Sequence, residues 1–290
     1  MTAEKVDVLE LIAWDLDDYA YRDASTGFSS AALDSNVEQA RARLSQLQHY
    51  ANNSALLEQE TRNIQQLLTA AATDEDMQRE YERLNWTLGV VDLRCLIAFQ
   101  RRLIFSPVQE KPLLPKQDDW LGLISLSVGS RRSTRHELVH HHSESDRLDM
   151  SLHSSNPDLQ LKFHPKTKDR DLLPFSLYGG SPFFEVAEFR GRWFLRDGYH
   201  RAYHLLQAGV HRLPAVVIYV RSIEELGATE PWFFSEQQLF SDRPPKVTDF
   251  LEDSMTLRYE RTALRKVLRI RVEESLEPLD EIEERQGETR

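Results

Sequence analysis

The residues best suited to binding or catalysis form one polar run, 197–201, with the sequence Asp-Gly-Tyr-His-Arg. The flanking pattern predicts a strand before this run and a helix after it. A helix N-terminus leaves backbone N–H groups unpaired and carries a partial positive charge, so phosphate binds there readily. Gly198 would let a ligand approach the backbone closely, and His200 and Arg201 can donate further hydrogen bonds. The run therefore predicts an anion site.

The local charge agrees with that prediction. Residues 190–221 contain six arginines and a single acid, Asp197, which gives a net charge of +5 in this segment. The arginines are Arg190, Arg192, Arg196, Arg201, Arg212 and Arg221. Such an excess favours an anionic ligand, and nucleotide phosphate is the first candidate.

The elements that must position this site follow from the surrounding pattern. Apolar residues alternate over 183–195 and are interrupted by a tight turn at Arg190-Gly191, which predicts two paired strands. A helix then runs to Gly209, a suitable left-handed residue after a helix C-terminus. The apolar run 213–218 predicts a buried strand. The expected order is strand, strand, helix, strand.

This segment resembles the ParB/sulfiredoxin-like superfamily. Members carry a D-G-x-x-R or G-x-x-R signature at the same strand-to-helix junction, which here is Arg-Asp-Gly-Tyr-His-Arg at 196–201. The resemblance implies a small mixed-sheet α/β domain that binds nucleotide phosphates, with ATP or CTP and Mg²⁺ as the cofactor. The implied cofactor-binding residues are Arg196, Gly198, Tyr199, His200 and Arg201. The implied catalytic residues are Asp197, His200 and Glu188.

The chain also departs from members of that superfamily. Sulfiredoxins have a catalytic cysteine where this chain has Tyr199, and Cys95 lies far upstream, so sulfinic-acid reduction is not expected. Partition proteins carry a DNA-binding helix-turn-helix domain that residues after 221 do not predict. The branch of free-serine kinases needs an upstream carboxylate as a base. Glu185 or Glu188 could serve, and the sequence does not decide which side of the strand each occupies.

A second motif, His136-Glu137-Leu138-Val139-His140, matches the H-E-x-x-H pattern of zinc hydrolases. On a helix this spacing puts two imidazoles on one face for zinc, with the glutamate beside the bound water. The flanking residues are polar, and no third ligand follows at a recognised spacing. A zinc hydrolase is therefore the third hypothesis, and no metal ligand is assigned to these residues.

Composition and charge exclude several classes of protein. The 290-residue chain has a net charge of −11, which comes entirely from its ends: residues 1–23 carry −5 and residues 273–290 carry −6. A duplex-DNA binder would show a basic excess, so DNA is not an expected partner. The sequence has no apolar run long enough to span a membrane and no signal-peptide pattern. A single cysteine, Cys95, suits a reducing compartment, which predicts a cytoplasmic protein.

The predicted fold class is α/β (α+β), with three regions. An N-terminal helical layer covers 1–85, with capping-box spacing at Ser35 and Glu38, and a further helix is predicted from Thr73. A ParB/sulfiredoxin-like domain covers 86–225, with a strand over 121–128 and a polar insertion at about 129–170. A C-terminal extension with a further strand over 266–272 and an acidic tail covers 226–290.

These observations predict a nucleotide-phosphate-binding protein. The first hypothesis is an NTP-dependent phosphotransferase or NTPase that acts on an unknown small-molecule or protein acceptor. The alternative is a non-catalytic nucleotide-sensing or interaction module.

Overall fold

The computed structural model describes residues 5–14, 30–105, 113–129, 136–141, 147–154, 160–163, 175–178, 181–230, 232–264 and 266–273. The chain divides into two compact units. The first comprises Met1–Arg131 and Ser181–Ala263, and the second comprises Arg132–Gly180 and Leu264–Arg290. The chain contains both helices and strands, which agrees with the predicted α/β (α+β) class.

The elements are numbered in chain order. The strands are β1 (Lys5–Leu11), β2 (Trp86–Asp92), β3 (Ile97–Ala98), β4 (Arg102–Phe105), β5 (His136–His141), β6 (Arg147–Ser154), β7 (Gln160–Phe163), β8 (Phe175–Tyr178), β9 (Glu185–Phe189), β10 (Arg192–Asp197), β11 (Arg212–Tyr219), β12 (Thr256–Thr262) and β13 (Lys266–Glu273). The helices are α1 (Ser30–Gln46), α2 (Glu58–Asn63), α3 (Gln65–Ala71), α4 (Glu75–Tyr81), α5 (Trp120–Ser127), α6 (Tyr199–Gln207), α7 (Ile223–Leu226) and α8 (Glu236–Leu239).

A mixed five-stranded sheet, in the order β2-β11-β9-β10-β3, forms the centre of the first unit. Strand β11 runs antiparallel to β2 and parallel to β9, and β10 runs antiparallel to β9 and parallel to β3. The apolar run that predicted a buried strand is the interior of β11, where residues 213–218 are all buried. That prediction is confirmed. Successive side chains of a strand point to opposite faces of the sheet, so burial of all six residues means that β11 is covered on both faces.

A second sheet of the first unit, β12-β1-β4, is antiparallel. Strand β1 lies inside the region predicted to be a helical layer, so that prediction was incomplete. The strand was missed because acidic residues interrupt its apolar pattern. One of them, Glu10, is fully buried, and its Oε2 accepts a hydrogen bond from the Tyr259 hydroxyl at 2.7 Å. Burial raises the pKa of Glu10, and the Arg102 guanidinium opposes that rise.

Three local predictions were wrong at the level of individual elements. Of the residues 121–128 that were predicted to form a strand, 121–127 belong to α5. Asp119 caps this helix by accepting a hydrogen bond from the Gly122 N–H at 3.0 Å. Helix α1 begins at Ser30, so Ser35 is not its cap. The cap of α4 is Asp74 rather than Thr73, since its carboxylate accepts the Met77 N–H.

The second unit consists, in the residues described, of the antiparallel sheet β13-β6-β5 and the hairpin β7-β8. Most of its strands fall in the segment that the sequence presented as a polar insertion, and β13 confirms the strand predicted over 266–272. In the part of the chain that the structure describes, no helix is both long and apolar enough to cross a membrane.

Candidate functional site

The polar run lies where the sequence predicted it, between the end of β10 and the start of α6. Strands β9 and β10 form a hairpin whose turn is at Arg190-Gly191, α6 follows, and β11 returns to the sheet. Gly198 is the residue that precedes the first turn of α6, with a φ of 100°. The predicted order of strand, strand, helix and strand is confirmed.

A β-bulge shapes the last residues of β10. Leu195 pairs with Val186 and Asp197 pairs with Glu185, so Arg196 is the extra residue. Bulges bend a strand and redirect side chains. The Arg196 Nη1 donates a hydrogen bond to Glu185 Oε2 at 3.2 Å, and its Nε donates to the Leu226 carbonyl at 3.2 Å. An ion pair therefore links the two strands beside the predicted site.

Gly198 is closely packed by the protein itself. A Cβ atom at this position would lie 2.4 Å from the Cδ2 atom of Phe184, whose side chain is fully buried. The positive φ also disfavours any residue with a side chain. The requirement for glycine thus comes from the packing of Phe184 and from the backbone turn.

The Tyr199 side chain is buried and its hydroxyl joins three backbone groups. It accepts hydrogen bonds from the N–H groups of Phe99 (3.0 Å) and Gln100 (3.2 Å) and donates to the carbonyl of Leu195 at 2.8 Å. Burial raises the pKa of Tyr199. Tyr199 is therefore a neutral side chain that connects α6 to β10 and to the segment after β3.

His200 contacts the end of β4. Its Nε2 lies 2.9 Å from the Ile104 carbonyl, and its ring packs edge-on against Phe105 at a centroid distance of 5.3 Å. Because a carbonyl can only accept a hydrogen bond, this nitrogen carries the proton. The imidazole is thus oriented by β4.

Arg201 is the most extensively bonded residue of the run. Its Nη1 donates to the carbonyls of Leu126 (3.1 Å), Ser127 (3.5 Å) and Pro182 (3.1 Å), and its Nη2 donates to the carbonyl of Phe183 at 2.9 Å. Its Nη2 also lies 3.7 Å from Asp197 Oδ1. The C-terminus of a helix attracts positive charge, so the guanidinium stabilises the end of α5.

The two glutamates that the sequence left as alternatives occupy opposite ends of β9. Glu188 pairs with Trp193, and its carboxylate accepts the Gly191 N–H at 2.6 Å, so it stabilises the hairpin turn. Glu185 is the partner of Asp197. Three residues of a strand span about 10 Å, so the structure brings Glu185, and not Glu188, to the junction.

Two residues near the junction were missed by the sequence reasoning. The Tyr81 hydroxyl donates to Glu185 Oε1 at 2.5 Å and lies 3.0 Å from the Ser181 hydroxyl. Tyr81 and Met77 are both buried in α4, the helix that the sequence predicted from Thr73. The signal was the phenol itself, because a buried tyrosine hydroxyl needs a polar partner.

The second motif does not form the helix that zinc hydrolases use. Residues 136–141 are strand β5, so the Cα atoms of His136 and His140 are about 13 Å apart, whereas the same spacing on a helix gives about 6 Å. Among the residues that the structure describes, no group of three histidine, cysteine, aspartate or glutamate side chains could hold a metal ion.

No family model, curated protein or solved structure matches this chain.

Proposed function

We propose that this chain is a nucleotide-binding protein of the ParB/sulfiredoxin-like type, with ATP or CTP and Mg²⁺ as its ligand. The observation that carries the proposal is the junction itself: β10 has a bulge at Arg196, and α6 begins after Gly198, which has no side chain to cap the helix. The partial positive charge at the start of a helix attracts phosphate oxygen atoms. The phosphate groups would lie at this end of α6.

Arg196 is the side chain best suited to contact the phosphate. A guanidinium has five N–H donors, and within the described residues two of those of Arg196 have acceptors, one in Glu185 and one at Leu226. Its side chain is 25% exposed, whereas that of Arg201 is 11% exposed and donates to four carbonyls. Arg201, Tyr199 and His200 would then hold the junction in shape and add positive charge.

The contacts favour binding without turnover, the non-catalytic module. Glu185 is hydrogen-bonded to Tyr81 and Arg196, and His200 to the Ile104 carbonyl. These groups are thus engaged in contacts within the protein rather than directed at a substrate. The second candidate is NTP-dependent phosphoryl transfer or hydrolysis, and the pairing of Asp197 with Glu185 favours it. Two carboxylates at one strand end could bind Mg²⁺ or accept a proton from an acceptor hydroxyl.

An acceptor, small molecule or protein, belongs only to the phosphotransferase candidate. Duplex DNA is not part of the proposal, given the net charge of −11. The one cysteine, Cys95, is a free thiol, which suits a reducing compartment, and we place the protein in the cytoplasm on that basis.

Isothermal titration calorimetry with ATP, CTP and inorganic phosphate, with and without Mg²⁺, tests the binding proposal. Arg196→Gln should weaken the affinity of the preferred nucleotide by about tenfold or more, since it removes a charged phosphate contact. Arg190→Gln is the matched control, because Arg190 lies on the same hairpin but at the turn, away from α6. The absence of nucleotide binding by the wild-type protein would refute the proposal.

Phosphate release separates the two candidates. If the wild-type protein binds a nucleotide with Mg²⁺ and releases no phosphate over many hours, it is a binding module. If it releases phosphate and Asp197→Asn abolishes the release without loss of binding, the enzyme candidate is correct.

A further inference from the structure

We propose that Tyr81 is a positioning residue of the nucleotide site: its hydroxyl holds the carboxylate of Glu185, and that carboxylate orients Arg196 towards the ligand. This inference rests on the proposed function. It assigns a role in the site to α4, a helix outside the segment that resembles the ParB/sulfiredoxin-like superfamily.

The geometry divides the Glu185 carboxylate between two partners. Oε1 accepts from the Tyr81 hydroxyl at 2.5 Å, and Oε2 accepts from Arg196 Nη1 at 3.2 Å. The Glu185 side chain is 7% exposed and Tyr81 is 1% exposed, so the hydrogen bond between them is shielded from solvent. The Ser181 hydroxyl, 3.0 Å from that of Tyr81, belongs to the same buried network.

The Arg196 side chain is oriented mainly by its hydrogen bonds, whereas the side chain of a regularly paired strand residue is also oriented by the pairing of its backbone. As the extra residue of the bulge, Arg196 lies outside the regular pairing of β9 and β10. Its guanidinium is held at two points, Glu185 and the Leu226 carbonyl. If the Glu185 carboxylate lost its hydrogen bond from Tyr81 or turned towards solvent, the first of these two contacts with Arg196 would move.

A buried carboxylate has a strong energetic need for donors. Removing one partner from a buried charged network leaves a polar group unsatisfied, and neighbouring side chains rearrange to compensate. Without the Tyr81 hydroxyl, both oxygens of Glu185 would compete for the N–H groups of Arg196. The arginine would be drawn towards the carboxylate and away from a phosphate.

The chain offers a matched control for this test. Tyr259 also donates its hydroxyl to a buried glutamate, Glu10, at 2.7 Å, but this pair lies in the β12-β1-β4 sheet. Tyr81→Phe and Tyr259→Phe each remove one phenolic oxygen from a buried carboxylate, and both should lower the midpoint of urea unfolding. Only Tyr81→Phe should weaken the affinity for ATP or CTP measured by calorimetry, by about tenfold.

Hydrogen–deuterium exchange supplies a second readout that a general loss of stability would not reproduce. In Tyr81→Phe, measured far below the unfolding transition, peptides covering residues 195–201 should exchange faster than in Tyr259→Phe. Equal affinity and equal exchange in the two variants would overturn the role of Tyr81 while leaving the binding proposal intact. If the wild-type protein binds neither nucleotide, the proposed function fails, and this inference fails with it.

Discussion

The ring of Phe184 occupies the space that a side chain at Gly198 would need. The Phe184 side chain is fully buried, and its backbone N–H donates to the Ser127 carbonyl at 2.7 Å, so the ring is held from α5 as well. A Cβ atom on residue 198 would come within 2.4 Å of the ring. The glycine of the junction is therefore required by the fold, whatever ligand the junction binds.

Replacing Gly198 with alanine should lower the free energy of unfolding by about 2–5 kcal/mol, because backbone strain at positive φ adds to a clash in the core. Gly191→Ala is the control, since its φ of 76° imposes strain while no described residue other than its two chain neighbours lies within 4 Å of the added methyl group. Urea unfolding of both variants measures the difference. Equal losses would mean that Phe184 can move aside and that the clash has no cost.

Arg201→Lys should also destabilise the protein, by about 2–4 kcal/mol, although it keeps the charge. One ammonium group cannot reach all four carbonyls that the Arg201 guanidinium contacts. A buried carbonyl that loses its donor lowers the free energy of unfolding. Arg62→Lys is the control, because Arg62 is exposed on α2 and its partner is Glu58 of the same helix. Urea unfolding that places both variants at wild-type stability would contradict a structural role for Arg201.

The stability of the protein should depend on Asp249, a buried carboxyl in the 3₁₀ turn Val247–Leu251. Burial raises its pKa from the ordinary value of 3.8 to about 7, although the hydrogen bond from the Lys246 N–H opposes the rise. Between these values the folded protein keeps a proton that the unfolded chain releases. The contribution of Asp249 to the free energy of unfolding therefore falls as the pH rises from about 4 to about 7. Above that range the contribution is constant.

Asp249→Asn tests this pH dependence, because asparagine keeps an acceptor for the Lys246 N–H and does not titrate. Relative to wild type, the variant should become more stable as the pH rises through the interval between the two pKa values. Free energies of unfolding in urea, measured from about pH 5 to about pH 8, give the comparison. A constant difference between the two proteins would show that Asp249 does not titrate in this range.

The part of the fold that the sequence predicted correctly is the part in which local pattern and burial agree. The alternating run before Arg190, the glycine after α6 and the apolar run in β11 each determine their element within a few residues. In α5 they disagreed, because Ile124, Leu126 and Val128 alternate with two serines, and this alternation imitates a strand. In β1 the buried acid Glu10 concealed the strand, since its partner Tyr259 is distant in sequence.

The polar run 197–201, in an arginine-rich segment between a strand and a helix, could be predicted from the sequence, because these are properties of neighbouring residues. The groups that meet at this run follow from the tertiary structure. The bulge at Arg196 sets the register that pairs Asp197 with Glu185, while α4 brings Tyr81 to the same carboxylate. Such contacts join residues up to about a hundred positions apart, and no local periodicity encodes them.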